Sequence, residues 1–190
     1  MLGLALLASA CGGAAGTLQE DPTTTQVLEW TRYEIPEAGI SVSYPSEWLR
    51  ADERLMPTLA DPRELVAVST FDARRGGENC AHMPENAIEG MGPTDALVVL
   101  EERLGDFGAG SGTPADYPAR PERFGPANGY PSEAVDCLDR PKEFFDRFIP
   151  FRDSGRRFYA YIALGTETPP ATRAEAWSIL DRLGIEPRDR

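Results

Sequence analysis

The sequence predicts an α+β fold: an antiparallel sheet built from hairpins, with a helix packed on it. Two observations carry that expectation. Several stretches rich in β-branched and aromatic residues alternate along the chain between turn residues, whereas one segment near residue 180 repeats its apolar residues at helical spacing. In addition, 17 prolines and 18 glycines among 190 residues leave little room for long helices. A hydrophobic content of 41% and a charged content of 26% are ordinary for a globular chain, and the length suits one domain with a substantial core.

Each element has its own local reason. Val27, Glu29, Thr31, Tyr33 and Ile35 alternate with Leu28, Trp30, Arg32 and Glu34, then residues 36–39 turn the chain. Ile40, Val42 and Tyr44 alternate with Ser41 and Ser43, which predicts a second strand with one wet face. Pro45 stops it, and Trp48 has the bulk to fold back over the sheet. A strand follows over 63–71, with Leu65, Ala67, Ser69 and Phe71 on one side. Proline and acid at the start of 84–91 predict a short helix there. The run 95–102, centred on Leu97 to Leu100, reads as a strand buried on both faces, and 133–138 as a return to order. Residues 144–151 and 156–164 form the clearest hairpin, turned by 152–155, with a second strand apolar on both faces and therefore central. In the last element Thr168 or Thr172 can cap, Pro169 and Pro170 fit the entry, and Ala176, Trp177, Leu180 and Leu183 form the stripe before Gly184 ends the helix.

Between these elements, residues 104–131 hold six glycines and five prolines and predict no regular structure. A connection of this length is as a rule either mobile or functional.

At the N-terminus, Met1 to Ala10 are uncharged and mostly apolar, with small residues immediately before Cys11. This has the form of a signal-peptide core and cleavage site. It resembles the bacterial lipoprotein signal, which implies that Cys11 receives a diacylglyceryl group and becomes the mature N-terminus. Ala10 and Ser9 fill the small positions, and Ala8 stands where that family prefers leucine. No Lys or Arg precedes the apolar run, so the expected translation start lies upstream of Met1. The alternative is a buried N-terminal helix carrying a core cysteine. Residues 1–11 are thus read as the signal segment, and 12–26, which hold almost nothing large enough to bury, as a flexible tether reaching roughly 20 Å. Residues 27–190 form the single domain.

Charge and cysteine usage bound the function further. A formal charge of −12 argues against nucleic acid as a partner, because polyanion binding needs the opposite sign. With Cys11 acylated outside the cytosol, Cys80 and Cys137 are left to form a disulfide, which in the chain-entropy model contributes about 4 kcal/mol. Two free buried thiols are the alternative.

A search for chemistry leaves no catalytic residue, no metal and no cofactor assigned. The only histidine, His82, has Glu78, Cys80, Glu85 and a distant Cys137 as companions, and a zinc site would compete with the disulfide for the same sulfurs. Ser111 lacks a nucleophile-elbow context, and the glycines of 105–112 lack phosphate-loop spacing. Glu101-Glu102 and Asp136 with Asp139 are conceivable acid/base pairs, but in so acidic a chain solvated faces are the expected reading. Arg74-Arg75 and Arg156-Arg157 are the local basic exceptions, read as turn-flanking surface residues with anion contact as the functional option.

The hairpin that ends in Tyr44-Pro45-Ser46-Glu47-Trp48 resembles the opening of PsbP-like domains and of actinobacterial lipoproteins of the LpqN kind. The run 153–165 and the terminal helix over 178–185 continue that resemblance, which spans residues 27–187 in element order. It implies an α/β/α sandwich around an antiparallel sheet covered by helices, and an accessory or assembly role. The expected function is therefore a non-enzymatic, lipid-anchored protein on the outer face of the cytoplasmic membrane that binds a protein partner or small ligand. Tyr44, Trp48, Arg156, Tyr159 and Tyr161 are the candidate binding surface. An envelope hydrolase using the 104–131 loop, and a structural lipoprotein without a dedicated ligand, are the alternatives.

Overall fold

A computed structural model describes residues 28–77, 79–80, 82–105, 117–131 and 143–188, with the backbone alone for 79–80. Strand β1 (Trp30–Ile35) and strand β2 (Ile40–Pro45) form the first hairpin in an unbroken antiparallel register from Trp30↔Pro45 to Ile35↔Ile40. A 3-10 turn over Pro36–Ala38 closes it, and Gly39 makes the reversal at φ 59°, a left-handed conformation that glycine adopts without steric cost.

A five-stranded antiparallel sheet forms the centre of the molecule. It contains β3 (Leu49–Arg50), β4 (Arg63–Ser69), β7 (Ala96–Arg103), β8 (Phe144–Asp153) and β9 (Arg156–Gly165), in the order β3-β4-β7-β9-β8. Between β4 and β7 a two-stranded ladder, β5 (Asn79–Cys80) with β6 (Met83–Pro84), leads into the short helix α1 (Glu85–Gly90). The expected hairpin is present as β8 and β9. Its turn is only Ser154 and Gly155, both at positive φ, the backbone that a tight hairpin requires. As expected, β7 and β9 are buried on both faces almost throughout.

The chain closes with α2 (Pro170–Asp181) and β10 (Gly184–Ile185). The cap is neither threonine. Pro169 occupies the cap position without a side-chain bond, and Thr168 instead bonds the Asp95 and Gly165 carbonyls. Gly184 does not merely end the helix: it starts β10, which pairs with β2 as a third strand. A Cβ at Gly184 would strike the Ser41 hydroxyl, and this close approach buries Ser41, so the expected wet face of β2 is not wet at that residue.

Two apolar cores lie on opposite faces of the central sheet. One packs Val66, Val98, Leu100 and Ile162 beneath α2 and the β1-β2-β10 sheet. The other packs Leu97, Val99, Tyr159 and Tyr161 beneath α1 and the segments carrying Leu55, Met56 and Tyr117. At roughly 1.5–3 kcal/mol per fully buried large side chain, both faces contribute to stability.

The described part of the long irregular segment, 117–131, is a strap along edge strand β8. Backbone bonds join Arg120 to Arg152 at 2.9 Å, Arg152 to Pro118 at 2.8 Å, and Tyr130 and Phe148 reciprocally at 3.0 and 2.8 Å. An uncovered ten-residue edge invites pairing with another chain, and the strap occupies it. Arg120 also donates to the carbonyls of Leu180, Asp181 and Leu183, serving the C-terminus of α2 from a distant part of the chain. The predicted order at 133–138 lies outside the described residues.

Candidate functional site

The polar residues of interest gather where β7 ends and β9 begins. Their placement follows from one irregularity in β4. Glu64 pairs with Glu101 and Val66 with Leu100, so Leu65 is an extra residue, a bulge that shifts the alternation of β4 by one. Upstream of it, Arg63 joins Glu102 on the α2 face, and Glu64 joins Glu101 on the other.

On the α2 face, Glu102 is 1% exposed and surrounded by guanidiniums. Arg156 Nε donates to Oε1 and Arg188 Nη2 to Oε2, both at 2.7 Å, and Arg63 Nη2 stands 3.8 Å away. Arg156 is itself buried, its Nη1 donating to the Glu186 carbonyl at 2.9 Å. Beside this cluster opens a cleft of about 400 Å³, lined chiefly by Glu102, Arg103, Ser154, Arg156, Arg157 and Arg188. Arg157 Nη2 donates to the Gly105 carbonyl at 2.8 Å, and Arg103 lies 3.9 Å from Asp61.

On the opposite face, Glu101 is completely buried and neither of its oxygens has a hydrogen-bond partner. His82 Nδ1, also without a partner, stands 3.7 Å from Oε2. Burial pushes the Glu101 carboxyl up to about 7; nearby His82 pulls it down, and Glu64 adds to the rise. Glu64 differs because the N–H groups of Leu55 and Met56 donate to its two oxygens at 2.9 Å. Burial raises its pKa too, against the opposing effect of those bonds and of Arg54. Aromatic rings complete the surroundings: the His82 ring centroid is 5.7 Å from Phe148 and 5.8 Å from Tyr159. Burial also raises the Tyr117 and Tyr161 phenols above their ordinary range. A general acid must reach the atom it protonates, and the Glu101 carboxylate is fully buried, whereas the His82 side chain beside it is 30% exposed.

The structure redistributes the residues singled out from the sequence. Tyr44, Trp48, Arg156, Tyr159 and Tyr161 do not form a surface: all five are buried. Tyr44 and Trp48 belong to the core beneath α2, with Trp48 Nε1 donating to Glu175 at 3.1 Å, whereas Tyr159 and Tyr161 belong to the opposite core. For Arg156, Tyr159 and Tyr161 the physical reason is the inner position of β9, whose alternate side chains are covered on both sides. Arg156 is an ion-pair partner in the cleft wall and not a turn-flanking surface residue. Glu101 and Glu102 are not solvated, nor are they an acid/base pair, because adjacent residues of a strand point to opposite faces. Cys11, Ser111, Asp136, Cys137 and Asp139 lie outside the described residues, as does the Cys80 side chain.

The residues missed from the sequence are Arg63, Glu64, Arg188 and Arg120. For the first three a signal existed: two acids closing an otherwise apolar double-faced strand require buried partners. Among the described residues no group of three or more His, Cys, Asp or Glu is placed to hold a metal ion, and no helix is long and apolar enough to cross a membrane.

Among the described residues these elements define an α+β domain with antiparallel sheets, two α-helices and an arginine-lined cleft at one end of the central sheet. No protein-family model, curated protein or solved structure matches the chain.

Proposed function

We propose that the chain is a lipid-anchored protein of the bacterial cell envelope whose domain binds a small ligand or protein partner without transforming it. In this reading Cys11 carries the lipid on the outer face of the cytoplasmic membrane, residues 12–26 are the tether, and Cys80 and Cys137 form the disulfide. The domain is a PsbP-like sandwich with an accessory or assembly role. The lipobox-like N-terminus and the order of elements support this; so does the layering of α1, the central sheet and α2.

The observation that carries binding over catalysis is the composition of the cleft: its charged side chains are Glu102 and four arginines. Guanidiniums stay protonated at physiological pH, so they hold and orient anions but do not accept protons. Among the described residues the exposed large apolar side chains are Leu28, Leu49, Leu104 and Tyr130, and of these Leu104 lines the cleft itself.

The test has two arms. Fatty-acid labelling should mark the wild-type chain in the membrane fraction, and Cys11→Ser should abolish the label and release the protein. A photocrosslinker at Ser154, in the cleft wall, should give reproducible adducts in native envelopes. An unlabelled, released wild-type chain overturns the anchor. Absence of adducts together with turnover of an ester substrate overturns binding without chemistry.

A further inference from the structure

Resting on the reading that the arginine cleft is the binding site, we infer that it takes a small polyanion whose carboxylate or phosphate groups seat among the guanidiniums. The first observation is a charge imbalance fixed in place. Arg63, Arg156 and Arg188 all converge on the single carboxylate of Glu102, three positive groups against one negative. In a chain with a formal charge of −12, this local excess of positive charge runs against the overall field.

An unused donor in the cleft wall is the second observation. Arg156 lines the cleft, its side chain is 4% exposed, and its Nη2 is buried without a hydrogen-bond partner. A buried donor left without an acceptor is unfavourable, and the described fold supplies none for this one. An oxyanion brings several acceptors at once, and the planar guanidinium matches carboxylate and phosphate in the same two-pronged geometry.

The third observation is that the wall is built before any ligand arrives. Arg156 Nη1 is held by the Glu186 carbonyl at 2.9 Å, Ser154 Oγ by the Ile185 carbonyl at 3.0 Å, and Arg157 Nη2 by the Gly105 carbonyl at 2.8 Å. Binding therefore loses little side-chain freedom in these groups. The cleft of about 400 Å³ falls in the range of small-molecule sites. Glu102 acts as the internal counter-ion that keeps Arg156 folded inward and competes with the ligand.

Calorimetric titration of the full folded chain with inorganic phosphate and with citrate tests this. Saturable binding at one site per chain is expected for at least one probe, and the preferred probe tells phosphate from carboxylate chemistry. Arg188→Ala, which removes a half-exposed side chain, should weaken binding about tenfold, the size of one charge-assisted hydrogen bond. Glu102→Gln should tighten it, because the guanidiniums lose their competing carboxylate. Arg32→Ala, elsewhere on the surface, should leave it unchanged. A purely structural ion cluster predicts neither the weakening nor the tightening. Absence of saturable binding by the folded wild type, or equal affinity in Arg188→Ala, overturns the inference. If Ser154 crosslinks persist in native envelopes after such a result, the binding function stands and the polyanion chemistry alone falls.

Discussion

Glu101 and Glu102 are neighbours in β7, both essentially removed from solvent, yet they live in opposite electrostatic surroundings. Glu102 receives two hydrogen bonds of 2.7 Å from arginines with a third arginine close by, whereas Glu101 receives none. The same carboxylate, displaced by one residue along a strand, is tied into an ion cluster in one case and driven toward its neutral form in the other. Burial alone therefore does not decide what a carboxyl does; the partners on its own face of the sheet decide it.

The largest effect should come from breaking the satisfied side of this pair. Glu102→Ala leaves Arg156 buried beside two further arginines without a counter-ion, and removing one partner of a buried pair costs about 3–5 kcal/mol. Urea unfolding near neutral pH should show that loss in the midpoint. A change below about 1 kcal/mol would mean that the cluster is as weakly coupled as a surface pair.

Glu101 should respond to pH in the opposite sense from a salt-bridged acid. Its folded pKa is raised to about 7 from an ordinary 4.5, so the folded state holds the proton more tightly than the unfolded chain. The stabilisation linked to that proton is full below about pH 4.5 and is lost as pH rises toward 7, a swing on the order of 3 kcal/mol. Glu101→Gln keeps the shape and removes the titration, so its advantage over the wild type should grow between pH 4.5 and 7. Parallel wild-type and variant curves over that range would show that Glu101 does not titrate there.

How much of this was legible in the sequence depends on whether the cause is local. The β8–β9 hairpin was readable because Ser154-Gly155 supplies the turn and the flanking residues alternate; α2 was readable because its stripe recurs on one face. The bulge at Leu65 was not, because one extra residue is defined only against the partner strand, and it alone decides that Glu64 faces Glu101. The strap was equally hidden. Nothing near Arg120 announces that its guanidinium serves carbonyls some sixty residues later. Likewise β10 is two residues long, too short for periodicity, and exists because Gly184 allows close approach to Ser41.

That strap supplies the next effect in size. Arg120→Ala removes the donors to three carbonyls at the end of α2 and the ion pair with Asp153 at 3.1 Å. Partial exposure lets water replace some of these bonds, so a loss of about 2 kcal/mol is expected. Hydrogen exchange should localise it, with faster exchange in the last turn of α2 and in β8. Exchange that rises uniformly over the whole chain would instead mark a global loss with no special link between strap and helix.

The smallest effect returns to the same chemical pair in another setting. Arg32 and Glu34 on β1 meet at 3.1 Å, a separation comparable to that of Arg156 and Glu102, but each side chain is 63% exposed. Water already solvates both partners, salt screens their attraction, and holding two long side chains together costs rotamer entropy. Glu34→Ala should therefore change stability by no more than about 0.5 kcal/mol, and any change should vanish in 1 M salt. Measured beside Glu102→Ala under identical conditions, it isolates burial from ion-pair chemistry. If the two substitutions cost alike, the difference between the faces of β7 lies in backbone packing around position 102, and the three arginines contribute little to it.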